Sequence, residues 1–593
     1  MKHAKRSQQE KGISLLLGTL AVVAIVPLVG LVVDVGFLYG IRTQMQASVD
    51  GAALAGARAM VLDTSTTSTT NTVNNAATWF YANFPSGTWG TSGTAMDKNS
   101  NIQVWEDCAP PPPAVATTGC SLNLWHVDVA ASTQAPTYFM KFFGAGTPTI
   151  NVIGKATRRN VAAMMVLDRS GSMCRSASGA GSQPCGASQV NSACAAMISA
   201  AKVFVGQFAN GRDYIGMVTF NSGVWVTQPV QDFRSVLGYT DALGNSNSTN
   251  LAIDHIQCDG GTGTTAAMSV AYNELKKLNQ GGALNVILLE TDGLPNTLAM
   301  NWWDNSGTKT GISSNSGCTD INGNSRPTLS TAWNTAAKQR NWFDTTSYTG
   351  TSYSTVYGTG TYYNAPTGPY GSFYTSDPYQ GQYYLDLFVP WATSDSANPN
   401  TLNGTANGCG FNSSSGITPG SAMDVAWFPK TDIFGNQLNP PTCSQGATGP
   451  CAYNNSTYGA PATVTGGYID VTGQGSTAAN WSSAKSAVLN AVDNAAYNIR
   501  SDATLKPVIY SIGLAGNYGN PPDTTLLQRV ANDPFGDVFN ATPQYYSCND
   551  TVHNPQCITF AGQQQGRFVY SSNSGSLRQA FLTLSGQMLR LSQ

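Results

Sequence analysis

Residues 13–33 carry no charge and are almost wholly apolar. At about 1.5 Å per residue a helix of that length spans roughly 30 Å, the thickness of a bilayer core. Lys2, Lys5, Arg6 and Lys11 precede the run, and after it come Asp34 and then only Arg42 before Asp50. The positive-inside rule therefore places the first residues in the cytoplasm and everything after Asp34 outside. A cleaved signal peptide is the rival reading. Against it, the run is longer than a usual signal core and leads into a helical stretch rather than a plain cleavage site. That stretch, residues 37–62, is rich in small residues: Ala47, Ala52, Ala53, Ala55, Gly56, Ala57 and Ala59. Such a face packs closely, either against another helix or on the chain's own domain.

The remainder reads as an extracytoplasmic body. With 30 Lys and Arg against 32 Asp and Glu, the net charge is −2 and no basic face is implied, so nucleic acid is not an expected partner. The 12 cysteines are even in number, and none stands in a CxxC spacing. Cys174 lies near Cys185, Cys443 near Cys451 and Cys548 near Cys557, while Cys108 and Cys120 bracket a proline run. Local pairs in polar, Gly-rich stretches read as disulfides, which persist in an oxidising compartment.

Residues 63–160 read as a small β-rich region. Residues 124–130 and 149–153 alternate as strands, and PTYFMKFFG at 136–144 is an apolar, aromatic segment between them. From residue 162 strands and helices alternate. AAMMVL at 162–167 is a continuous apolar run, expected of a strand buried on both faces. Met197, Ala201, Phe204, Val205 and Phe208 share a helical face, 214–220 is a strand, Met268 to Leu278 is an amphipathic helix and 286–289 is another buried strand. The pattern then breaks: residues 297–474 are dominated by Gly, Ser, Thr, Asn, Pro and Tyr, and so long a stretch without periodicity reads as an insertion. It resumes with a helix carrying Trp481, Val488, Val492 and Ile499, a strand at 508–512, a short helix around Leu526 and Val530, a strand at 568–570, and a closing helix marked by Leu577, Phe581, Leu584, Met588 and Leu591. The expected architecture is α/β, a doubly wound, mostly parallel sheet spanning 161–593 with a large polar insertion at about 297–474. It follows a segment of tail, transmembrane helix and Ala-rich helix over 1–62 and the β-rich region over 63–160.

The chemistry falls at strand ends, where open α/β sheets bind ligands. Asp168, Ser170 and Ser172 follow the first buried strand in DRSGSM; Thr262 lies in GGTGT just before a helix; Asp292 lies in TDG after the strand 286–289. Two carboxylates and three hydroxyls make a hard, oxygen-only set. It suits Mg²⁺, with Mn²⁺ or Ca²⁺ as substitutes, and does not suit zinc or copper. Taken alone, DxSxS is no more than an ordinary set of loop and capping residues. Three elements in order, each at a strand end or helix start, make the stronger pattern. A metal-free variant of the same fold is the remaining alternative. The four histidines, His3, His126, His255 and His553, lie in no HExxH and beside no obvious nucleophile, and GGTGTT lacks a P-loop lysine, so no catalysis is expected.

Two resemblances follow from these residues. The segment GISLLLGTLAVVAIVPLVGLVVDVGFLYGIRTQMQASVDGAALAGARAM is similar to the N-terminal segment of TadG-like proteins of the Tad (tight adherence, Flp pilus) assembly system. Gly12 stands where a prepilin-type cut would fall, but Leu17 replaces the Glu of that pattern, which implies a retained anchor. DxSxS, the threonine and the later Asp resemble the metal-ion-dependent adhesion site of von Willebrand factor A domains. That resemblance implies that Ser170, Ser172 and Thr262 touch the ion directly and that Asp168 and Asp292 act mainly through waters. It favours Thr262 over Thr264, because the family's threonine follows two glycines. Together the resemblances imply a single-pass bacterial inner-membrane protein with a periplasmic body. It would bind pilus or secretion-channel components, the partner completing the ion's shell with an acidic side chain. Two other readings stand beside this one: a surface adhesin for host or matrix ligands, and an envelope scaffold without a pilus. The Tyr-rich insertion, beginning directly after the Asp292 loop, would either rim the metal site or only decorate the sheet.

Overall fold

The apolar run belongs to one helix, α1 (Arg6–Ala59), of 54 residues. The computed structural model describes residues 6–63, 69–112, 119–144, 146–175, 185–221, 224–240, 251–258, 262–295, 427–441, 449–453, 464–470, 482–515, 522–539 and 548–592, save a few single positions. Most of the insertion expected at 297–474, and Trp481 with it, lies outside the described residues. Among the described residues α1 is the one helix long and apolar enough to cross a membrane. Its side chains at 16–23, 25, 26, 28 and 29 are exposed, whereas from Gly30 onward one stripe, through Asp34, Ile41, Met45, Val49, Ala52 and Ala53, is buried.

Residues 1–159 form one compact unit and 160–592 another. In the first, β3 (Leu124–Gln134) is central. On one edge it pairs along its length with β4 (Thr149–Arg159). On the other, β2 (Ile102–Glu106) and β1 (Ser92–Ala95) follow each other end to end, and all pairings are antiparallel. Val127, Val129 and Ala131 point inward at every second position and meet Ile41, Met45, Val49, Ala52 and Ala53 of α1. The small-residue face thus packs on the chain's own sheet and also on a second helix, α2 (Thr70–Asn83), with Gly56 against Ala76 and Val127. Sequence reading missed α2 because its Asn- and Thr-rich surface is weakly helical. Ala76, Phe80 and the adjoining Phe84 are its buried contribution. The Asp63 carboxylate accepts from the Asn71 amide (2.8 Å) and the Thr72 hydroxyl (2.5 Å), satisfying donors that its first turn leaves over.

The second unit is the expected doubly wound sheet. Its strands are β5 (Val161–Asp168), β6 (Tyr214–Phe220), β7 (Val224–Val230), β8 (Leu284–Thr291), β9 (Val508–Leu514), β10 (Asp537–Phe539) and β11 (Phe568–Ser571). They stand in the order β10-β11-β9-β8-β5-β6-β7, all parallel except the edge strand β7. Every residue of β5 and β8 is buried. Val161, Ala163, Met165 and Leu167 join one core with α3 (Ala193–Val205) and the closing helix α7 (Ser574–Ser592). Further helices among the described residues are α4 (Thr264–Leu278), α5 (Ser482–Arg500) and α6 (Thr524–Ala531), besides a short turn of helix at Phe233–Leu237. From β5 the chain moves to β6 on one side and later to β8 on the other, so a topological switch point lies between the ends of β5 and β8.

The described end of the insertion is fastened to this unit by polar contacts. Asn490, Asn494 and Asn498, four residues apart on α5, meet it in turn. Asn490 donates to the Leu438 carbonyl (3.1 Å), the Gln437 amide donates to Asn494 (2.6 Å), and Asn498 donates to Asn436 (3.0 Å). Buried Arg529 grips Asp493 through two nitrogens, at 3.1 and 2.5 Å, and also donates to the Cys451 carbonyl at 3.2 Å.

Candidate metal centre

The loops at the switch point bring four of the five expected oxygen residues into one hydrogen-bonded chain. β5 and β8 run in register with Leu167 opposite Glu290, which sets Asp168 beside Thr291. The Thr291 hydroxyl donates to Asp168 Oδ2 at 2.5 Å, and the Ser170 amide donates to Asp168 Oδ1 at 2.8 Å. Ser170 Oγ lies 2.8 Å from Ser172 Oγ, and Ser172 Oγ donates to Asp292 Oδ1 at 2.6 Å. The fifth residue, Thr262, stands two positions before α4. A β-carbon built on Gly293 would lie 3.6 Å from Ser172 Oγ and 4.0 Å from Thr262 Oγ1, so the hydroxyls of Ser172 and Thr262 border the same glycine. Thr264 instead opens the helix, and its hydroxyl is buried without a hydrogen bond. Asp168, Ser170, Thr262 and Asp292 are buried, while Ser172 and Gly293 are half-buried and form the outward side.

Electrostatics leave this cluster short of positive charge. Burial pushes the Asp168 carboxyl above its usual range, against the hydrogen bonds from Thr291 and Ser170. Burial and then the neighbouring Asp168 charge raise Asp292 as well, with Arg175 pulling the other way. Asp292 Oδ2 is buried without a hydrogen bond. A third carboxylate, Glu290, is fully buried with no well-formed hydrogen bond to either oxygen. Burial first, then Asp168 and Asp292, hold it well above its usual range, and only the backbone amide of Asp168 favours its charged form. Three clustered carboxylates in a buried site repel one another when ionised, and an unpaired buried charge is costly. A hard divalent cation answers both problems, so the donor set fits Mg²⁺.

Sequence reading missed several residues that hold this arrangement. Glu290 and Thr291 end the β8 strand, and the signal was a lone charge in a strand with four apolar residues, 286–289, directly before it. Arg169, fully buried, donates to Asn221 Oδ1 (2.8 Å) and to the Gln257 carbonyl (3.2 Å), tying together the loops after β5 and β6. Two disulfides brace the same region. Cys174, two residues after Ser172, bonds Cys185, and Cys258, four before Thr262, bonds Cys194. Cys185 and Cys258 face each other across a two-residue antiparallel bridge. Cys108–Cys120 and Cys548–Cys557 also form, and Cys451 is disulfide-bonded, while Cys443 lies outside the described residues. The Cys194–Cys258 pair joins positions 64 apart, beyond what local spacing reveals. His126 lies on β3, stacked on Trp105 at 4.1 Å and paired with Asp107 at 3.0 Å.

The mostly parallel sheet with helices on both faces is that of a von Willebrand factor type A domain, and the model of that family matches residues 163–294. The model of the Flp pilus-assembly TadE/G-like family matches residues 12–59, the apolar run and the Ala-rich part of α1. The chain therefore carries a TadE/G-like segment near its N-terminus and a von Willebrand factor type A match in its second unit. No curated protein matches it. Among solved structures it is similar to a variant of the PilB minor pilin from Streptococcus sanguinis, with 11% identity and a TM-score of 0.28, covering 83% of this chain and 79% of that one. The von Willebrand domain of the type V pili tip protein Mfa5 from Porphyromonas gingivalis gives 12% and 0.28, covering 74% and 98%. The pilus adhesin SpaC from Lactobacillus rhamnosus GG gives 11% and 0.28, covering 84% and 36%. Likenesses this distant carry no functional argument.

Proposed function

We propose that this chain is a membrane-anchored, protein-binding component of a Flp-type pilus assembly system that grips its partner through a bound Mg²⁺. The observation that carries the reading is the chain of contacts from Asp168 through Ser170 and Ser172 to Asp292 Oδ1, beside which the second oxygen of Asp292, Oδ2, is buried with no hydrogen bond. Asp168, Ser170, Ser172, Thr262 and Asp292 would hold the ion, with Mn²⁺ or Ca²⁺ as substitutes. When bound, it supplies a Lewis-acidic position for a carboxylate of the partner. The residues then orient it: Thr291 fixes Asp168, and Ser172, on the open side, presents the site outward. Residues 13–33 would anchor the chain in the inner membrane, leaving the second unit in the periplasm. The TadE/G-like match over residues 12–59 supports the pilus assignment.

The test is co-purification of the full chain with pilus and secretion-channel components from detergent-solubilised envelopes. Binding is expected in Mg²⁺, lost in EDTA, restored by added Mg²⁺ and absent in Asp168→Ala. Undiminished capture by Asp168→Ala would rule the metal mechanism out. Fractionation separates the adhesin alternative, which requires intact protein outside the outer envelope.

A further inference from the structure

The loop between β3 and β4 meets α1 at a level that the apolar run itself defines. Its 3-10 turn, Met140–Phe143, follows Tyr138 and Phe139. The Asp34 carboxylate, one residue past the apolar run, accepts hydrogen bonds from the backbone amides of Tyr138 (3.0 Å), Phe139 (2.8 Å) and Met140 (2.6 Å). The Phe139 ring covers Gly30 so closely that a β-carbon there would lie 2.4 Å from it. Gly30 is inside the apolar run, about 5 Å of helix before its end at Val33. A loop packed on Gly30 and pinned by Asp34 therefore reaches the depth at which interfacial segments rest, roughly 5–10 Å into the headgroup and acyl boundary.

The loop's surroundings suit that depth. Tyr138 meets Phe37 edge-on at 5.7 Å, and Phe37 stacks on Trp89 at 5.6 Å. Tyr138, Trp89 and the nearby Tyr39 are 56%, 48% and 72% exposed, an unusual display of aromatic surface beside an apolar helix. Trp89 holds a left-handed backbone (φ 54°), a strained conformation for a bulky residue, and its ring lies against Gly40 of α1. Amphipathic rings belong at headgroup level, and exposed Lys141 can reach lipid phosphates from there. The three amides bound by Asp34 are donors that would otherwise be stranded near hydrocarbon, so one carboxylate satisfies the loop and is itself satisfied.

We propose that Tyr138 and Lys141, with Trp89 and Tyr39, form a second membrane contact: an interfacial aromatic belt resting on the outer leaflet and pinned to the anchor by Asp34. The proposal rests on reading residues 13–33 as a bilayer span, and its test separates the two. Single spin labels at Val26→Cys, Tyr138→Cys and Gln103→Cys would be placed in the full chain, reconstituted in phosphatidylethanolamine–phosphatidylglycerol vesicles. Their accessibility to oxygen and to an aqueous nickel chelate gives their depth. Gln103 adjoins Ile102, which pairs with Val129, itself opposite Gly154, whose position abuts Val49. Val49 lies about 22 Å of helix beyond Asp34, which makes Gln103 the aqueous reference. The expected result is Val26 in lipid, Gln103 in water and Tyr138 at headgroup depth, with loss of nickel access and gain of oxygen access relative to Gln103. In an Asp34→Ala background the Tyr138 label should move toward the Gln103 value. If Val26 reads as aqueous, the span and the belt both fail. If Val26 lies in lipid while Tyr138 is as aqueous as Gln103, the belt alone is overturned. A Tyr138 label shielded from both reagents would mean that protein, not lipid, covers the loop, and would also overturn it.

Discussion

Asp292 and Asp168 are both buried at the ends of neighbouring strands, and burial raises both carboxyls, so each ionised form is costly without a compensating positive charge. Asp292→Asn should therefore leave the metal-free protein at least as stable as the parent while abolishing stabilisation by Mg²⁺. For the parent, Mg²⁺ at a hundred times its Kd should add about 2.7 kcal/mol, read as a rise in Tm. Thr262→Ala should weaken the Mg²⁺ response and Thr264→Ala should not; the reverse ranking would transfer the ligand role to Thr264. A different carboxylate sets a pH dependence. Asp432 is buried, and desolvation lifts it to about 7 despite donors from Phe434 and Asn436. A folded value above the unfolded one means that its contribution is fully present below about pH 4 and is lost as the pH rises through 7. The loss is up to about 4 kcal/mol. Amide protection of Phe434 and Asn436, corrected for intrinsic exchange, should fall from about pH 4 to about pH 7 and level off above it, and a flat profile across that window would contradict this.

Two joints between elements carry much of the architecture. At Gly154 a β-carbon would lie 2.5 Å from the Val49 carbonyl carbon and 2.7 Å from the Asp50 amide nitrogen, so β4 and α1 touch backbone to backbone. Gly154→Ala forces them apart and should destabilise the first unit by about 1–3 kcal/mol in denaturant titrations. The second joint is the disulfide Cys194–Cys258, whose 64-residue loop implies about 4 kcal/mol by chain entropy. Because Cys258 precedes Thr262 and Cys174–Cys185 clamps the Ser172 turn, these bonds fix the loops that carry the oxygen cluster. Cys194→Ser with Cys258→Ser should lower Mg²⁺ affinity about tenfold, equivalent to about 1.4 kcal/mol by calorimetric titration. Cys548→Ser with Cys557→Ser, next to α6, should leave it unchanged. Equal losses in both pairs would show only a general loss of fold.

For the molecule as a whole, what the sequence disclosed follows from how each part is stabilised. The buried parallel strands β5, β6, β8 and β9 were legible because strands covered on both faces carry near-continuous apolar runs. The edge strand β7 was not: VWVTQPV carries Pro229, which an edge tolerates and which masks the strand pattern. Helix α2 and the docked end of the insertion escaped because Asn and Thr side chains hold them, through contacts that no periodicity reports. At the site, DxSxS, Thr262 and Asp292 could be read from strand ends. Glu290, Arg169 and Asn221 could not, because their roles depend on which strands become neighbours. The proposed grip on a partner nevertheless depends on one cation. Electron paramagnetic resonance of the full chain titrated with Mn²⁺ tests it most directly. One tight site displaced by Mg²⁺, present in the parent and absent in both Asp168→Ala and Asp292→Asn, is the predicted result. No bound Mn²⁺ in the parent, or binding undiminished in both variants, would contradict it.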